Sequence, residues 1–245
     1  MPSTSQIATL RERVARLEQA AAPTDERPIS TGLAELDAAL PAGGLRRGTL
    51  IEYLAAEGAA AATLALAAGR AACGEDRALV VVDRRQIFYP LAAHGWGIDL
   101  ARTIVLRPAT AADELWALDQ ALRSPAVGAV WARVDKLAPR DFRRLQLAAE
   151  QGGGVGLLLR PASARDRPTW SDLQWLVEPR PSWRGWRLAV ELVRCRGGTA
   201  GRRWLLELSE STGDWRAIHD GSQTNPGPAT AELAHPAALR RSARA

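Results

Sequence analysis

Residues 55–62 stand between a predicted strand and a predicted helix, where a chain of alternating strands and helices could carry a phosphate-binding loop. Such a loop, G-x-x-x-x-G-K-[ST], uses glycines to bring backbone N–H groups to the phosphates, a lysine to reach the β- and γ-phosphates, and a hydroxyl to hold magnesium. In this frame the four positions are Ala55, Ala60, Ala61 and Ala62. Alanine supplies none of these groups and has the highest helix propensity, so the run is interpreted as the start of a buried helix.

The sequence on both sides of this window resembles the core of the RecA family. Residues 29–37 (ISTGLAELD) and 43–52 (GGLRRGTLIE) resemble the entry to that core, and they are the most specific signature in the chain. Residues 78–83 (ALVVVD) resemble the next core strand, and residues 97–105 resemble the approach to the third. The resemblance implies an α/β fold with a central, mainly parallel, twisted sheet flanked by helices.

The register of this resemblance also assigns the positions that would do chemistry. The water-activating glutamate falls on Arg85, the adenine-stacking tyrosine on Ala92 and the magnesium-binding aspartate on Arg133. Together with the alanines of residues 55–62 these are four separate losses. Phosphoryl transfer needs those phosphate and metal contacts, so we expect no catalysis by the usual route and no bound cofactor.

Within the RecA-like class, residues 29–210 most resemble the ImuA family, accessory proteins of bacterial mutagenic translesion DNA synthesis. The resemblance implies a non-catalytic adaptor of the SOS response to DNA damage. The partners it implies are an ImuB-like Y-family protein, an error-prone replicative-type polymerase, RecA, and single-stranded or forked DNA.

Two other functions stay open at this point. A divergent nucleotide-binding ATPase would take its ligands from Glu57, Asp83 or Asp135. An inhibitor of cell division resembling the SulA family would share a degenerate version of the same core, but it gives no role to the arginines described below.

The alternation of patterns predicts the order of the core elements. Strands are predicted at 49–54, 78–83, 103–106, 127–131 and 154–159, and helices at 58–72, 86–95, 110–123 and 139–151. This alternation favours a parallel sheet with helices on both faces. Beyond Pro161 the pattern changes to strands at 173–178, 186–195 and 202–209, which predicts a C-terminal antiparallel extension.

Two terminal segments flank this domain. Residues 1–22 are predicted to form a helix with the apolar residues Ile7, Leu10, Val14 and Leu17 on one side, followed by a linker at 23–28. Two heptads are too few for a coiled coil in isolation, so the helix either packs on its own core or binds a partner or a neighbouring subunit. Residues 211–245 are expected to be a largely disordered tail, which serves as a linker or folds on a partner.

The positive charge is concentrated between residues 160 and 204. This interval contains ten arginines, four acidic residues and five of the nine tryptophans, whereas the whole chain carries +5. Guanidinium groups pair with phosphates and indoles stack on unpaired bases, so the cluster favours DNA binding. A solvated sheet face or a site for an acidic protein would explain it as well. The candidate DNA-binding residues are Arg165, Arg167, Trp170, Arg184, Arg187, Arg194, Arg196, Arg202, Arg203 and Trp204.

Composition excludes several other classes. The chain has 245 residues, enough for one α/β domain with appendages. Cys73 and Cys195 are isolated and the three histidines are scattered, so neither a disulfide framework nor a metal site is indicated. No apolar run is long enough to span a bilayer and no leader is visible, so a cytoplasmic, nucleoid-associated protein is expected.

Overall fold

The computed structural model describes residues 27–56, 60–182, 186–208 and 215–218. The predicted N-terminal helix with Ile7, Leu10, Val14 and Leu17 lies outside these residues, as do Glu57, Arg184 and the side chain of Ala60.

The described residues form one nine-stranded sheet in the order β3-β2-β4-β5-β1-β6-β7-β8-β9. The strands are β1 (Leu50–Ala55), β2 (Ala78–Val82), β3 (Thr103–Leu106), β4 (Val127–Arg133), β5 (Val155–Pro161), β6 (Leu173–Arg180), β7 (Arg187–Cys195), β8 (Arg203–Leu208) and β9 (Trp215–Ile218). Pairing is parallel from β3 to β6 and antiparallel from β6 to β9. The fully buried apolar runs of β2, β4 and β5 are typical of strands covered on both faces.

Helices cover the two faces of the parallel part. They are α1 (Ala34–Asp37), α2 (Ala60–Cys73), α3 (Pro90–Gly95), α4 (Ala111–Arg123) and α5 (Pro139–Gly152), with 3-10 turns at Leu100–Arg102 and Ala162–Ala164. Leu64 of α2 lies in one hydrophobic cluster with Ile51 of β1, and Phe142 of α5 lies in another with Leu50. Neighbouring strand residues point to opposite faces, so the sheet has an α2 face and an α4/α5 face.

Both faces continue into the antiparallel extension. Trp175, Leu188 and Leu206 are buried in the cluster of the α2 face. The sheet curls over this face, because Trp215 of β9 stacks on Trp96, just after α3, with ring centroids 6.3 Å apart and an interplanar angle of 9°. The α4/α5 face of β7 to β9 carries no helix from the described part of the chain.

An aspartate of α4 joins this helix to α5. Asp119 accepts hydrogen bonds from Arg123 at 3.0 Å and from Arg144 at 2.9 Å. Burial alone would raise the pKa of Asp119, but the hydrogen bonds from the two arginines outweigh it and hold the pKa below its usual range.

Two element predictions differ from the structure. The helix predicted from residue 86 begins only at Pro90, because the chain turns after β2 with Gln86 at a φ of 56°. The prediction of a tail from residue 211 did not anticipate β9, whose four residues pair with β8. Among the described residues no helix is long and apolar enough to cross a membrane.

Candidate nucleotide position and arginine surface

The position of a phosphate-binding loop lies between β1, which ends at Ala55, and α2, which begins at Ala60. The side chain of Ala61, where the lysine would stand, is buried in the cluster of the α2 face, and Ala62 packs against the same cluster. These contacts agree with the interpretation of the run as the start of a buried helix. Neither residue has a group that could bind phosphate.

Asp83, one of the carboxylates proposed for a divergent ATPase, forms hydrogen bonds within the turn after β2. The residue is buried, and its two carboxylate oxygens accept hydrogen bonds from the backbone N–H groups of Ile87 at 2.9 Å and Phe88 at 3.0 Å. These bonds replace the helix predicted from residue 86 with a side-chain-capped turn. The carboxylate therefore organises the backbone at this point.

Asp135 is committed in a different way. Its carboxylate forms ion pairs with Arg85 and with Arg133, the latter at 3.6 Å. These are the two arginines that stand at the predicted water-activating and metal-binding positions, and they meet because β2 and β4 are neighbours in the sheet. Three acidic, histidine or cysteine side chains able to share a metal ion are found nowhere among the described residues.

The arginines of the extension fall on more than one surface. On the α4/α5 face, Glu191 forms an ion pair with Arg165 at 2.8 Å and another with Arg203 at 3.0 Å. On the same face Glu207 pairs with Arg187 at 2.9 Å and with Arg216 at 2.8 Å. Hydrogen bonds from Arg216 and Arg187 keep the pKa of Glu207 below its usual value.

This pairing supports the interpretation of the strand arginines as a charged, solvated sheet face. Each of the two glutamates lies between two arginines of the face, so much of the local charge is compensated. Arg216 was not among the sequence candidates, since it lies in the segment predicted to be a tail.

Arg202 and Trp204 lie apart from that face. The ring of Trp204 meets that of Trp175, buried on the α2 face, edge to face at 5.9 Å, and the guanidinium of Arg202 lies 5.8 Å from the ring centroid of Trp204. Arg203 points to the opposite face, as its contact with Glu191 shows. Consecutive residues that the sequence groups together are thus separated by the sheet.

Arg194 and Arg196 hold the chain segment that connects β5 to β6, residues 162–172. Arg194 donates to the carbonyl of Ser171 at 3.0 Å, and Arg196 lies 3.6 Å from the carboxylate of Asp172. We infer a structural contribution for both side chains.

The same connecting segment presents the exposed residues Arg167 and Trp170, and Trp170 lies beside α5. Trp170 is 47% exposed, and the guanidinium of Arg143 lies 5.1 Å from its ring centroid. Arg140, one helical turn before Arg143, has a side chain that is 92% exposed. We call Arg140, Arg143, Arg167 and Trp170 the α5 patch.

The sequence reasoning included Arg167 and Trp170 but missed the two arginines of α5. Their spacing of three within the predicted helix 139–151 was a usable signal, because it places both on one side of a helix. What brings them to Trp170 is the path of the connecting segment, which the sequence does not reveal.

A buried carboxylate positions that segment. Glu52 of β1 is fully buried and pairs with Arg160 of β5 at 2.5 Å. Its other oxygen accepts hydrogen bonds from Thr169 at 2.7 Å, Ser171 at 2.9 Å and Gln174 at 3.0 Å. Arg160 is therefore a core residue, and the network fixes the backbone on both sides of Trp170.

Comparison with known proteins agrees with the geometry. A family model described as the RecA N-terminal domain matches residues 9–153. RecA of Chlorobium limicola is 32% identical over 142 residues, which are 58% of this chain and 40% of that protein. The crystal structure of the RadB recombinase superimposes with a TM-score of 0.61 at 16% identity, covering 78% of this chain and all of that one, which shows the fold.

A longer match is found to a smaller protein. Protein ImuA of Caulobacter vibrioides, in both strains NA1000 and CB 15, is 32% identical over 211 residues, covering 75% of this chain and 84% of the relative. The chain is thus a member of the ImuA family built on a RecA N-terminal domain.

Proposed function

We propose that this chain is a non-catalytic accessory protein of the DNA-damage response, which serves mutagenic translesion synthesis as a RecA-like adaptor. The observation that carries the proposal is the ion-pair group of Arg85, Asp135 and Arg133 at the ends of β2 and β4. The register of the sequence resemblance puts Arg85 and Arg133 at the water-activating and metal-binding positions of a RecA-like enzyme. Family membership supports the biological setting.

DNA binding is the first half of the adaptor role, and the α5 patch is its best candidate. Arg140 and Arg167 are exposed, and neither pairs with the two glutamates that compensate the sheet-face arginines, although Arg140 lies 3.7 Å from the carboxylate of its neighbour Asp141. The exposed indole of Trp170, with Arg143 at its ring, offers a surface for an unpaired base. The Glu52 network holds this surface in place before DNA arrives.

The DNA half is tested by measuring binding of a fluorescent single-stranded and a forked oligonucleotide over a range of salt. The test variant is Arg140→Gln/Arg143→Gln/Arg167→Gln. The control is Arg187→Gln/Arg203→Gln/Arg216→Gln, which removes the same charge from the ion-paired sheet face. Each lost phosphate contact lowers the slope of log affinity against log salt by roughly 0.7–0.9. We expect a slope lower by about two to three for the patch variant and a smaller change for the control.

Salt-independent binding, or an equal loss in both variants, would contradict the assignment of DNA to the α5 patch. Substitution of Trp170 by alanine separates stacking from charge. It should weaken binding of the single strand by about 1–3 kcal/mol and leave the salt slope unchanged.

Partner binding is the second half of the proposal. We assign contact with an ImuB-like protein, an error-prone polymerase and RecA to the predicted stripe of Ile7, Leu10, Val14 and Leu17 or to the tail beyond residue 218. Pull-down with each partner, using chains that lack residues 1–22 or 221–245, is the test. If both shortened chains still bind every partner, the contacts must lie on the domain itself and the assignment is wrong.

A further inference from the structure

A second basic site lies at the amino-terminal ends of the parallel strands, opposite the end that carries the phosphate-loop position. There the end of α2, the start of β2 and residues 97–102 line an open cavity of about 160 Å³. This is well above the roughly 10–15 Å³ that one water molecule needs. Its walls include Arg70, Arg77 and Arg102 and a single acidic residue, Asp99.

Two of these arginines are fixed by the protein. Arg102 donates to the carboxylate of Asp99 at 3.0 Å, and Arg77 donates to the carbonyl of Gly153 at 3.2 Å. The hydrogen bond from Arg102 is the main reason why the pKa of Asp99 lies below its usual range, so the only lining carboxylate stays charged and engaged. The guanidinium of Arg102 is thus held beside the lining carboxylate, and Arg77 adds a second fixed positive charge to the lining.

Arg70 differs from them. Its guanidinium forms no hydrogen bond or ion pair with any residue of the described part of the chain, although it lies at the cavity wall. Gly97 makes room for it: with a φ of 79°, this residue would place a β-carbon 2.5 Å from Nη1 of Arg70. Any other residue at position 97 would force the guanidinium to shift.

The carbonyl end of α2 explains part of this concentration of charge. Cations are favoured at a helix C-terminus, and Arg47 and Arg102 donate to the carbonyls of Ala72 and Gly74, at 3.3 Å and 3.5 Å. Arg70 makes no such bond. Its charge therefore remains available to something that enters the cavity.

We propose that this cavity binds a phosphate group, either free or as the terminal group of a small phosphoester. Guanidinium groups are matched to tetrahedral oxyanions by their fork of N–H donors, and three arginines and one acidic residue line this cavity. Arg70 is the group that gains a partner on binding, whereas Arg77 and Arg102 add charge from fixed positions. The site is independent of the proposed DNA surface.

Calorimetric titration of the full chain with inorganic phosphate, pyrophosphate and adenosine monophosphate tests the proposal. Arg70→Gln is the test variant, and Arg180→Gln, which removes an exposed arginine of β6 that pairs with Glu178, is the control. Loss of one charge-assisted contact should weaken phosphate binding by about tenfold or more in the test variant and leave it unchanged in the control. If adenosine monophosphate and inorganic phosphate bind with equal affinity, the phosphate group alone is recognised. If adenosine monophosphate binds more tightly, the phosphate belongs to a nucleotide.

Cys73 gives a second readout, since this residue lines the same cavity. Burial raises the pKa of Cys73 to about 11, so in a Cys195→Ser background it should react slowly with a maleimide at pH 8. Bound phosphate should slow that reaction further, by about threefold or more at saturation, and Arg70→Gln should abolish the protection. Absence of binding to all three probes, or equal loss in the two arginine variants, would overturn the proposal.

Discussion

Arg85 and Asp135 form an ion pair that joins the segment after β2 to the segment after β4. Arg133, the last residue of β4, contacts the same carboxylate. In a RecA-like enzyme these strand ends hold groups that bind a divalent ion and activate water. Here they bind each other, so the ends of two neighbouring strands are stabilised without a ligand.

Removing the charge of Asp135 should therefore reduce stability and not nucleotide binding. In Asp135→Asn the two arginines would lose the carboxylate that they share, and we expect a loss of up to about 1 kcal/mol, since all three side chains are partly exposed. Urea denaturation at low and high salt measures it, and the loss should shrink as salt screens the charges. A gain in stability, or the loss of an ATP-dependent signal, would argue for a ligand-binding role of Asp135.

The buried pair of Glu52 and Arg160 makes a stronger prediction. Arg160→Met leaves a charged Glu52 in the core with only neutral donors, and removing one partner of a buried pair costs about 3–5 kcal/mol. Glu52→Gln/Arg160→Met removes both charges and keeps an oxygen for Thr169 and Ser171. The double variant should therefore be more stable than the single Arg160→Met variant.

The control for this pair is a surface ion pair, Glu178 and Arg180, whose side chains are half exposed. Removing it should cost no more than about 1 kcal/mol in the same denaturation assay. If the double core variant were as unstable as Arg160→Met alone, the loss would come from packing against Phe142 and not from the unpaired charge.

Asp172 should make the folding stability depend on pH with the opposite sign to a carboxylate in an ordinary ion pair. Burial raises the pKa of Asp172, an effect that Arg196 only partly offsets. A group with a raised folded-state pKa contributes its stability below the unfolded pKa and loses it as pH rises through the folded pKa. Asp172→Asn should thus unfold at a higher temperature than the natural chain at pH 7.

The advantage of Asp172→Asn should vanish near pH 3, where both states of the natural chain are protonated. Thermal melts of the two proteins at pH 3, 5 and 7 provide the comparison. If the asparagine variant were less stable at pH 7, Arg196 and the N–H of Leu50 would be stabilising the charged carboxylate more than burial disfavours it.

Local pattern was enough to predict most of the fold. The helix predicted at 110–123 begins at Ala111 after a Thr110 cap, and the helix predicted at 139–151 ends at Gly152, before a left-handed Gly153. These signals lie within a few residues of the boundaries they set. The helix predicted from residue 86 was too long, because the carboxylate of Asp83 bonds to N–H groups four and five residues ahead.

The candidate surfaces could not be predicted in the same way, because they depend on which strands pair and in what register. Arg203 faces Glu191 and Arg187 faces Glu207 only through the pairing of β7 with β8. The contact of Arg143 with Trp170 depends on where residues 162–172 cross the sheet. A count of arginines therefore predicted a basic region, while its division between compensated and exposed groups required the tertiary structure.

Calorimetry of the full chain with ATP and magnesium tests the central claim most directly. The phosphate-loop position carries alanines, and Asp135 is ion-paired with Arg85 and Arg133. We therefore expect no heat of ATP binding and no release of phosphate, with or without single-stranded DNA. Saturable, magnesium-dependent binding of ATP that is lost on substitution of Asp83 or Asp135 would contradict the claim, because these carboxylates would then be ligands of a working nucleotide site.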